Sequence, residues 1–292
     1  MTGTDDDLAL LRSVAEALAT EAAEFVRRRR AEVFGPHAGA PGAPGDGAVR
    51  SKSTPTDPVT VVDTETERLL RDRLARLRPG DPILGEEGGG PAEVTAAHGG
   101  AVTWVLDPID GTVNFVYGIP AYAVSVGAQI DGVSVAGAVA DVVAGRVYSA
   151  ATGLGAQVTD GHETRSLRCA AVEDLSMALL GTGFGYSAPR RAAQAELLAR
   201  MLPMVRDVRR IGSAALDLCM VAAGRLDAYY EHGLQVWDCA AGGLIAAEAG
   251  ARVVLPPRDV DGAGLVMAAA PGIADELAAA LERFNGLDPI LD

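Results

Sequence analysis

Val102-Thr103-Trp104-Val105-Leu106-Asp107-Pro108-Ile109-Asp110-Gly111-Thr112-Val113-Asn114-Phe115 is the stretch on which the reading of this chain turns. Its apolar start, Val102 to Leu106, reads as a buried strand. That strand runs directly into two carboxylates three residues apart, with Pro108 restricting the backbone between them. Carboxylates held this close repel one another unless a cation lies between them. Oxygen ligands are what Mg²⁺ requires, and it commonly leaves coordination positions for water and substrate phosphate. Gly111-Thr112 then opens a short helix, where exposed backbone N–H groups suit a phosphate. The same residues also fit an ordinary Asp-rich turn, with Asp110 as a helix cap. Taken alone, the segment leaves both readings open.

Outward from this stretch the pattern falls into two halves. Residues 122–130 and 133–140 flank Asp131-Gly132, a two-residue hairpin signal, and Ala144-Gly145 turns the chain into a further strand over 146–150. This predicts an antiparallel meander. It is preceded by a short strand, Ile83-Leu84-Gly85, and by helices over residues 6–33 and 63–77. From about residue 175 strands and helices alternate, which predicts an α/β-like lobe. The expected division is residues 1–170, carrying the metal-binding loops, and 171–292, contributing Asp238 and substrate contacts. Residues 34–47 are rich in Gly, Pro and Ala and read as a loop. Asp63, Ser213 and Asp238 each read as helix N-caps, and Glu86-Glu87 as a solvated acidic pair. Arg27 to Arg30 read as a solvated face in the last turns of the first helix.

Composition narrows the function classes. The 292 residues are 49% hydrophobic and 22% charged, with a net charge of −14. That balance does not suit a protein held on nucleic acid, which needs a basic face. An anionic substrate on so acidic a chain needs a local reversal of sign, and a bound metal supplies one. No long apolar run predicts a membrane span, and the acidic start lacks the features of a secretory leader. The three cysteines, Cys169, Cys219 and Cys239, are scattered and lack metal-ligand spacing, which places the chain in the reducing cytoplasm.

Four segments taken together carry a resemblance: Gly85-Glu86-Glu87, Asp107-Pro108-Ile109-Asp110-Gly111-Thr112-Val113-Asn114-Phe115, Gly212-Ser213-Ala214-Ala215 and Trp237-Asp238-Cys239-Ala240-Ala241-Gly242. In that order they resemble the diagnostic motifs of the inositol monophosphatase family. The likeness extends over roughly residues 8–285 and includes Lys52-Ser53, Thr56-Asp57, Thr60 to Asp63 and Asp227 to Glu231. It implies an α+β fold, a layered α-β-α-β-α sandwich of the inositol monophosphatase and sugar phosphatase type. It implies two or three Mg²⁺ per site, held by Glu86, Asp107, the Ile109 carbonyl, Asp110 and Asp238. Thr112, hydrogen-bonded to Asp63, would with Glu86 orient and activate the attacking water. Backbone N–H groups of Gly111 and Thr112 would hold the phosphate. Asp110, Gly212, Ser213, Ala214, Glu231 and Asp238 would meet a small phosphorylated polyol, with Arg209 nearby. The resemblance further implies a lithium-sensitive homodimer.

The expected reaction is hydrolysis of myo-inositol monophosphate by direct in-line attack of water. Unaided, this class of reaction needs acceleration of up to ~10²¹-fold, and paired Mg²⁺ ions can stabilise attacking and leaving oxygens together. The acidic motifs do not separate this substrate from fructose-1,6-bisphosphate, histidinol phosphate or 3′-phosphoadenosine 5′-phosphate. A reading from another class is a regulatory scaffold that keeps the fold without the catalysis.

Overall fold

The structure is a computed structural model that describes residues 4–35, 49–52, 58–90, 100–256 and 264–291. Helix α1 (Asp5–Phe34) opens at a capping box in which Thr4 and Asp7 satisfy each other's backbone N–H groups. Leu8, Leu11, Ala15, Leu18, Ala22 and Val26 recur at steps of three and four and are buried. After a two-stranded hairpin, β1 (Val49–Ser51) and β2 (Pro58–Thr60), comes α2 (Val61–Leu77). Its N-cap is Thr60, and Asp63 is the third helical residue that returns the bond. The expectation that Asp63 itself caps the helix is therefore corrected by one turn.

A seven-stranded sheet follows: β3 (Ile83–Gly85), β4 (Val102–Asp110), β5 (Ala123–Ile130), β6 (Val133–Asp141), β7 (Arg146–Ala151), β8 (Ala156–Asp160) and β9 (Glu163–Ser166), neighbouring one another in that order. Only β3 and β4 pair in parallel; the other pairs are antiparallel. Asp131 and Gly132 form the β5–β6 turn with φ of 48° and 70°, as a hairpin with the twist of its strands requires. Sequence reasoning passed over β8 and β9, although Asp160-Gly161 between them is the same turn signal. The burial of β9 explains the omission: all four residues are exposed, so no apolar alternation marks it.

The second sheet has five strands in the order β11 (Asp207–Arg209), β10 (Leu179–Thr182), β12 (Ala228–His232), β14 (Leu265–Ala269) and β13 (Arg252–Val254). It is mixed, parallel from β11 through β12 and antiparallel beyond. The helices α3 (Thr112–Tyr117), α4 (Ala188–Met201), α5 (Ala214–Ala222), α6 (Val236–Glu248) and α7 (Ala274–Arg283) complete the chain.

Side-chain alternation assembles the layers. On one face of the seven-stranded sheet, Val124, Val126 and Ala128 pack with the buried faces of α1 and α2. From the other face Ala123, Val139 and Tyr148 meet Ala215, Cys219 and Ala222 of α5 and Ala241 and Ile245 of α6. The same two helices turn Leu218, Val221 and Ala246 toward Tyr229, Val266 and Ala268 of the second sheet. Ala228, Tyr230, Met267 and Ala269, alternate residues of the same strands, pack with α4 and α7. The order is helix, sheet, helix, sheet, helix, the layered α+β sandwich expected. Among the described residues no helix is long and apolar enough to cross a membrane.

The arginine run is only partly a solvated face: Arg27 and Arg28 are exposed, Arg29 and Arg30 are half-buried, and three of the four are tied down. Arg27 donates through Nε and Nη2 to the Val142 carbonyl at 3.0 and 2.7 Å, and Arg30 Nε donates to the Phe115 carbonyl at 2.9 Å. Arg29 pairs with Glu65 at 2.8 Å. These residues tie α1 to the first sheet, to α3 and to α2. They lie before the helix's last turn, which holds no basic residue.

Candidate metal and substrate site

Four acidic segments and two glycine-bearing turns meet at one cavity of about 680 Å³. β4 supplies Asp107 and Asp110 at its end, where the pairing with β5 shifts register. Such an irregularity re-aims side chains, and both carboxylates line the cavity although the strand has period two. Asp238 joins them from the first turn of α6. One oxygen each from Asp107, Asp110 and Asp238 lies within 4.8 Å of the others.

Each of these carboxylates is held from behind. Asp107 Oδ1 accepts from the Ile109 N–H at 3.0 Å. Asp110 Oδ2 accepts from Ser213 Oγ at 2.6 Å and from the Ala215 N–H at 2.7 Å. Asp238 Oδ2 accepts from the Gln235 N–H at 2.6 Å. Ser213 is also the N-cap of α5, as expected, so the hydroxyl that starts this helix also fixes a carboxylate. The N-cap of α6 is Gln235, and Asp238 is its third residue, not its cap.

The electrostatics follow from burial and crowding. Burial pushes Asp107 well above the ordinary carboxylate range, and Glu86, Asp110 and Asp238 add to it. Asp238 is raised by burial and then by Asp110 and Glu86. Asp110 is raised by burial and partly restored by the Ser213 and Ala215 donors. Carboxylates crowded this closely away from water are ones that a cation would stabilise. The donor set is all carboxylate and carbonyl, which fits a hard divalent cation.

Beside the carboxylates, Gly111 sits at φ 94° between β4 and α3. A Cβ there would come within 3.0 Å of the Ala121 and Gly212 carbonyls, so both the angle and the space select glycine. The Thr112 hydroxyl lies 3.2 Å from Asp63 Oδ1 and 3.0 Å from the Ile109 carbonyl. Asp63 is completely buried and pushed up to about 7, chiefly by desolvation. Its other oxygen accepts from the Thr60 N–H at 3.0 Å. Asn114 Nδ2 ties this loop to the next by donating to the Ala121 and Ile211 carbonyls at 2.7 and 2.9 Å.

A family model described as the inositol monophosphatase family matches residues 7–286. The chain belongs to the inositol monophosphatase family. It is 78% identical, over the whole length of both chains, to the inositol-1-monophosphatase of Mycobacterium leprae. The solved structure of Mycobacterium tuberculosis SuhB is 69% identical, covering 96% of this chain and 98% of that one, with a TM-score of 0.80. A Nus factor SuhB from Pasteurella multocida is 37% identical over 82% of this chain and 85% of its own. Family membership and the cluster of buried acids together support divalent metal binding.

Nearly all of the residues expected at an inositol monophosphatase site line this one cavity: Glu86, Asp107, Ile109, Asp110, Gly111, Thr112, Gly212, Ser213, Ala214, Glu231 and Asp238. Asp63 stands behind Thr112. Glu86 is not within the tight carboxylate trio; its Oε1 accepts instead from Lys52 Nζ at 2.7 Å, and Lys52 also reaches Glu87 at 2.5 Å. The solvated acidic pair of the sequence reading is thus an ion-paired corner of the cavity.

One expectation is corrected. Arg209 does not face the site: its guanidinium donates to Asp207 at 2.7 Å and to the Val208 carbonyl at 2.8 Å on an exposed surface. Arg210 lines the cavity in its place. Neighbouring residues of extended chain point to opposite faces, so an error of one position selects the wrong side. Arg190 and Lys52 also line the cavity. Arg190 and Arg210 carry no motif, whereas Lys52 and Tyr229 fall within segments of the resemblance that gave them no role of their own.

Proposed function

We propose that this chain is a Mg²⁺-dependent phosphomonoesterase that converts myo-inositol monophosphate to inositol and phosphate. The observation that carries the reading is the convergence of Asp107, Asp110 and Asp238 within 4.8 Å, next to the backbone N–H groups of Gly111 and Thr112. The name of the Mycobacterium leprae relative agrees with this substrate.

Glu86, Asp107, Asp110, Asp238 and the Ile109 carbonyl would hold two or three Mg²⁺ ions. When bound, these ions supply charge neutralisation for the phosphoryl oxygens and a more acidic water. The chain's own residues do the positioning, which is most of the protein's task in phosphoryl transfer. Gly111 and Thr112 offer N–H donors to the phosphate. The Thr112 hydroxyl, with Asp63 as acceptor, orients the attacking water; Asp63, near its midpoint at neutral pH, can take the proton Thr112 passes on. Ser213 and the Ala215 N–H keep one Asp110 oxygen occupied, so the other remains directed at the cavity. Glu231, Gly212 and Ala214 line the part of the cavity that would receive the polyol, with Arg210 in the role once given to Arg209.

The same reading makes the enzyme cytoplasmic, in keeping with three unpaired cysteines, and a lithium-sensitive homodimer with no nucleic-acid partner. A second reading has one observation in its favour. Arg190 and Arg210 both line the cavity, which suits a substrate with a second anionic group such as fructose-1,6-bisphosphate. A scaffold role gains nothing from buried acids that repel one another. Phosphate release from inositol 1-phosphate, fructose-1,6-bisphosphate, histidinol phosphate and 3′-phosphoadenosine 5′-phosphate, each with and without Mg²⁺, tests these readings. Mg²⁺-dependent release that is fastest from inositol 1-phosphate is the expected result. A flat background on every substrate from folded protein would reject the enzyme.

A further inference from the structure

Part of the cavity lining comes from the second sheet and the ends of its strands. Glu231 comes from β12, is half-buried, and lines the cavity. Tyr229, two residues earlier on the same strand and so on the same face, is fully buried and donates its hydroxyl to Glu231 Oε2 at 2.6 Å. β10, paired with β12 in register Gly181 to Tyr229 and Thr182 to Tyr230, leads into Gly183. A Cβ at Gly183 would stand 1.8 Å from Glu231 Oε2 and 2.2 Å from its carboxyl carbon. The carboxyl therefore occupies the volume that any other side chain at Gly183 would fill, with a phenol fixing one of its oxygens.

We propose that Tyr229 is a positioning residue that, with the notch at Gly183, holds the Glu231 carboxylate on the cavity as the acceptor for a substrate hydroxyl. This rests on the reading of the cavity as a polyol phosphatase site. A glutamate side chain has three rotatable bonds, and fixing one oxygen spares that freedom when the substrate arrives. A short hydrogen bond to a charged acceptor is also the stronger kind. Burial pushes Glu231 up to about 7, while the Tyr229 hydroxyl and Arg210 act against that rise. The titratable and charged groups around it are Tyr229 on its own strand, Asp217 on α5, Arg210 ahead of α5, Asp110 at the end of β4 and Asp238 on α6. Arg190 of α4 packs against Gly233, two residues further on. Asp217 is buried beside Gly181, and its Oδ1 has no hydrogen-bond partner among the described residues. Burial, and then Glu231 and Asp110, push it well above the ordinary range. Of the neighbours, Tyr229 is the one that touches the carboxyl and favours its charged form.

Tyr229→Phe removes one oxygen from an otherwise unchanged ring. Its expected signature is a KM for the polyol phosphate raised about tenfold, the scale of a hydrogen bond to a charged group, with kcat changed less than about threefold. The pH at which KM turns should move to higher values, since the group favouring the carboxylate is gone. Gly183→Ala, which leaves Tyr229 intact but displaces the carboxyl, should raise KM in the same way. A carbon-13 NMR titration of the Glu231 carboxyl, assigned with Glu231→Gln, reads the same shift without turnover. It should place the wild-type midpoint near neutrality and the Tyr229→Phe midpoint higher. Unchanged KM and an unchanged carboxyl titration in Tyr229→Phe would overturn the proposal and leave Tyr229 a core residue. Failure of the wild type to release phosphate would instead reject the polyol phosphatase reading, while the titration would still decide the role of Tyr229.

Discussion

Two groups of carboxylates face one cavity from different sheets, and they are held in different ways. Asp107, Asp110 and Asp238 converge to within 4.8 Å, and backbone N–H groups and a serine fix their outer oxygens. Glu231 stands apart from them, with a phenol on one oxygen and glycine at its back. The first arrangement crowds like charges and leaves inward lone pairs, which a divalent cation would satisfy. The second presents a single carboxylate to the cavity, with Asp217 behind it, which an alcohol would satisfy. What differs is the number of carboxylates turned to one point of the cavity, and that difference separates the inorganic end of the site from the organic end.

The comparison breaks if the two ends respond alike to substitution. Asp110→Asn keeps the shape but removes a charge from the crowded end; turnover should fall about 10³-fold or more, at or beyond the scale for one preorganised electrostatic group. Circular dichroism and thermal melting should show the fold intact, and near-normal turnover would dissolve the distinction. Thr112→Ala leaves the carboxylates and removes the hydroxyl next to Asp63; kcat should drop roughly 10²- to 10⁴-fold, the usual range for acid–base assistance. A loss below threefold would reduce Thr112 to a structural role. At the organic end, Arg210→Ala should raise KM about tenfold by removing a charged donor, while Arg209→Ala on the outer surface should leave both constants within about twofold. Equal effects would undo the placement of Arg210 on the cavity.

Burial, with charge crowding added to it, also has a stability signature. Asp63 rises from 3.8 to about 7, and Asp107, Asp110 and Asp238 are raised too. A carboxyl that binds its proton more tightly when folded adds stability at low pH, and that stability is lost as pH rises through the folded value. Metal-free protein should therefore melt higher near pH 5 than near pH 8. Saturating Mg²⁺ should flatten the slope, because a ligand of the native state compensates for the lost protons. A melting temperature that climbs with pH in chelator would contradict these shifts.

The inorganic end was only half readable from local sequence: a strand, two aspartates and Gly-Thr lie together in β4 and the start of α3, but that stretch alone also fits a turn, and Asp238 joins it from α6 through the resemblance of the ordered motifs. The organic end was only partly readable because it depends on pairing between distant strands. That Gly183 makes room for Glu231 follows from the β10–β12 register, which no local pattern states. The exchange of Arg209 for Arg210 has the same origin, since which side of extended chain faces inward is decided by the sheet. Arg27, Arg29 and Arg30 read as solvent-facing because their acceptors, the Val142 carbonyl, Glu65 and the Phe115 carbonyl, lie far along the chain. The layered fold was legible through the family resemblance and the strand patterns; β9, exposed along its whole length, was not.

The central claim is that these carboxylates form a cage for divalent cations. Its most direct test is a crystal of the protein grown with Mn²⁺ in place of Mg²⁺, with the ions located by anomalous scattering. At least two peaks should appear in the cavity, each within about 2.2 Å of carboxylate oxygens, with Asp107 shared between them and Glu86 released from Lys52. Peaks elsewhere, or none among Asp107, Asp110 and Asp238 while those residues keep the arrangement described, would contradict the account.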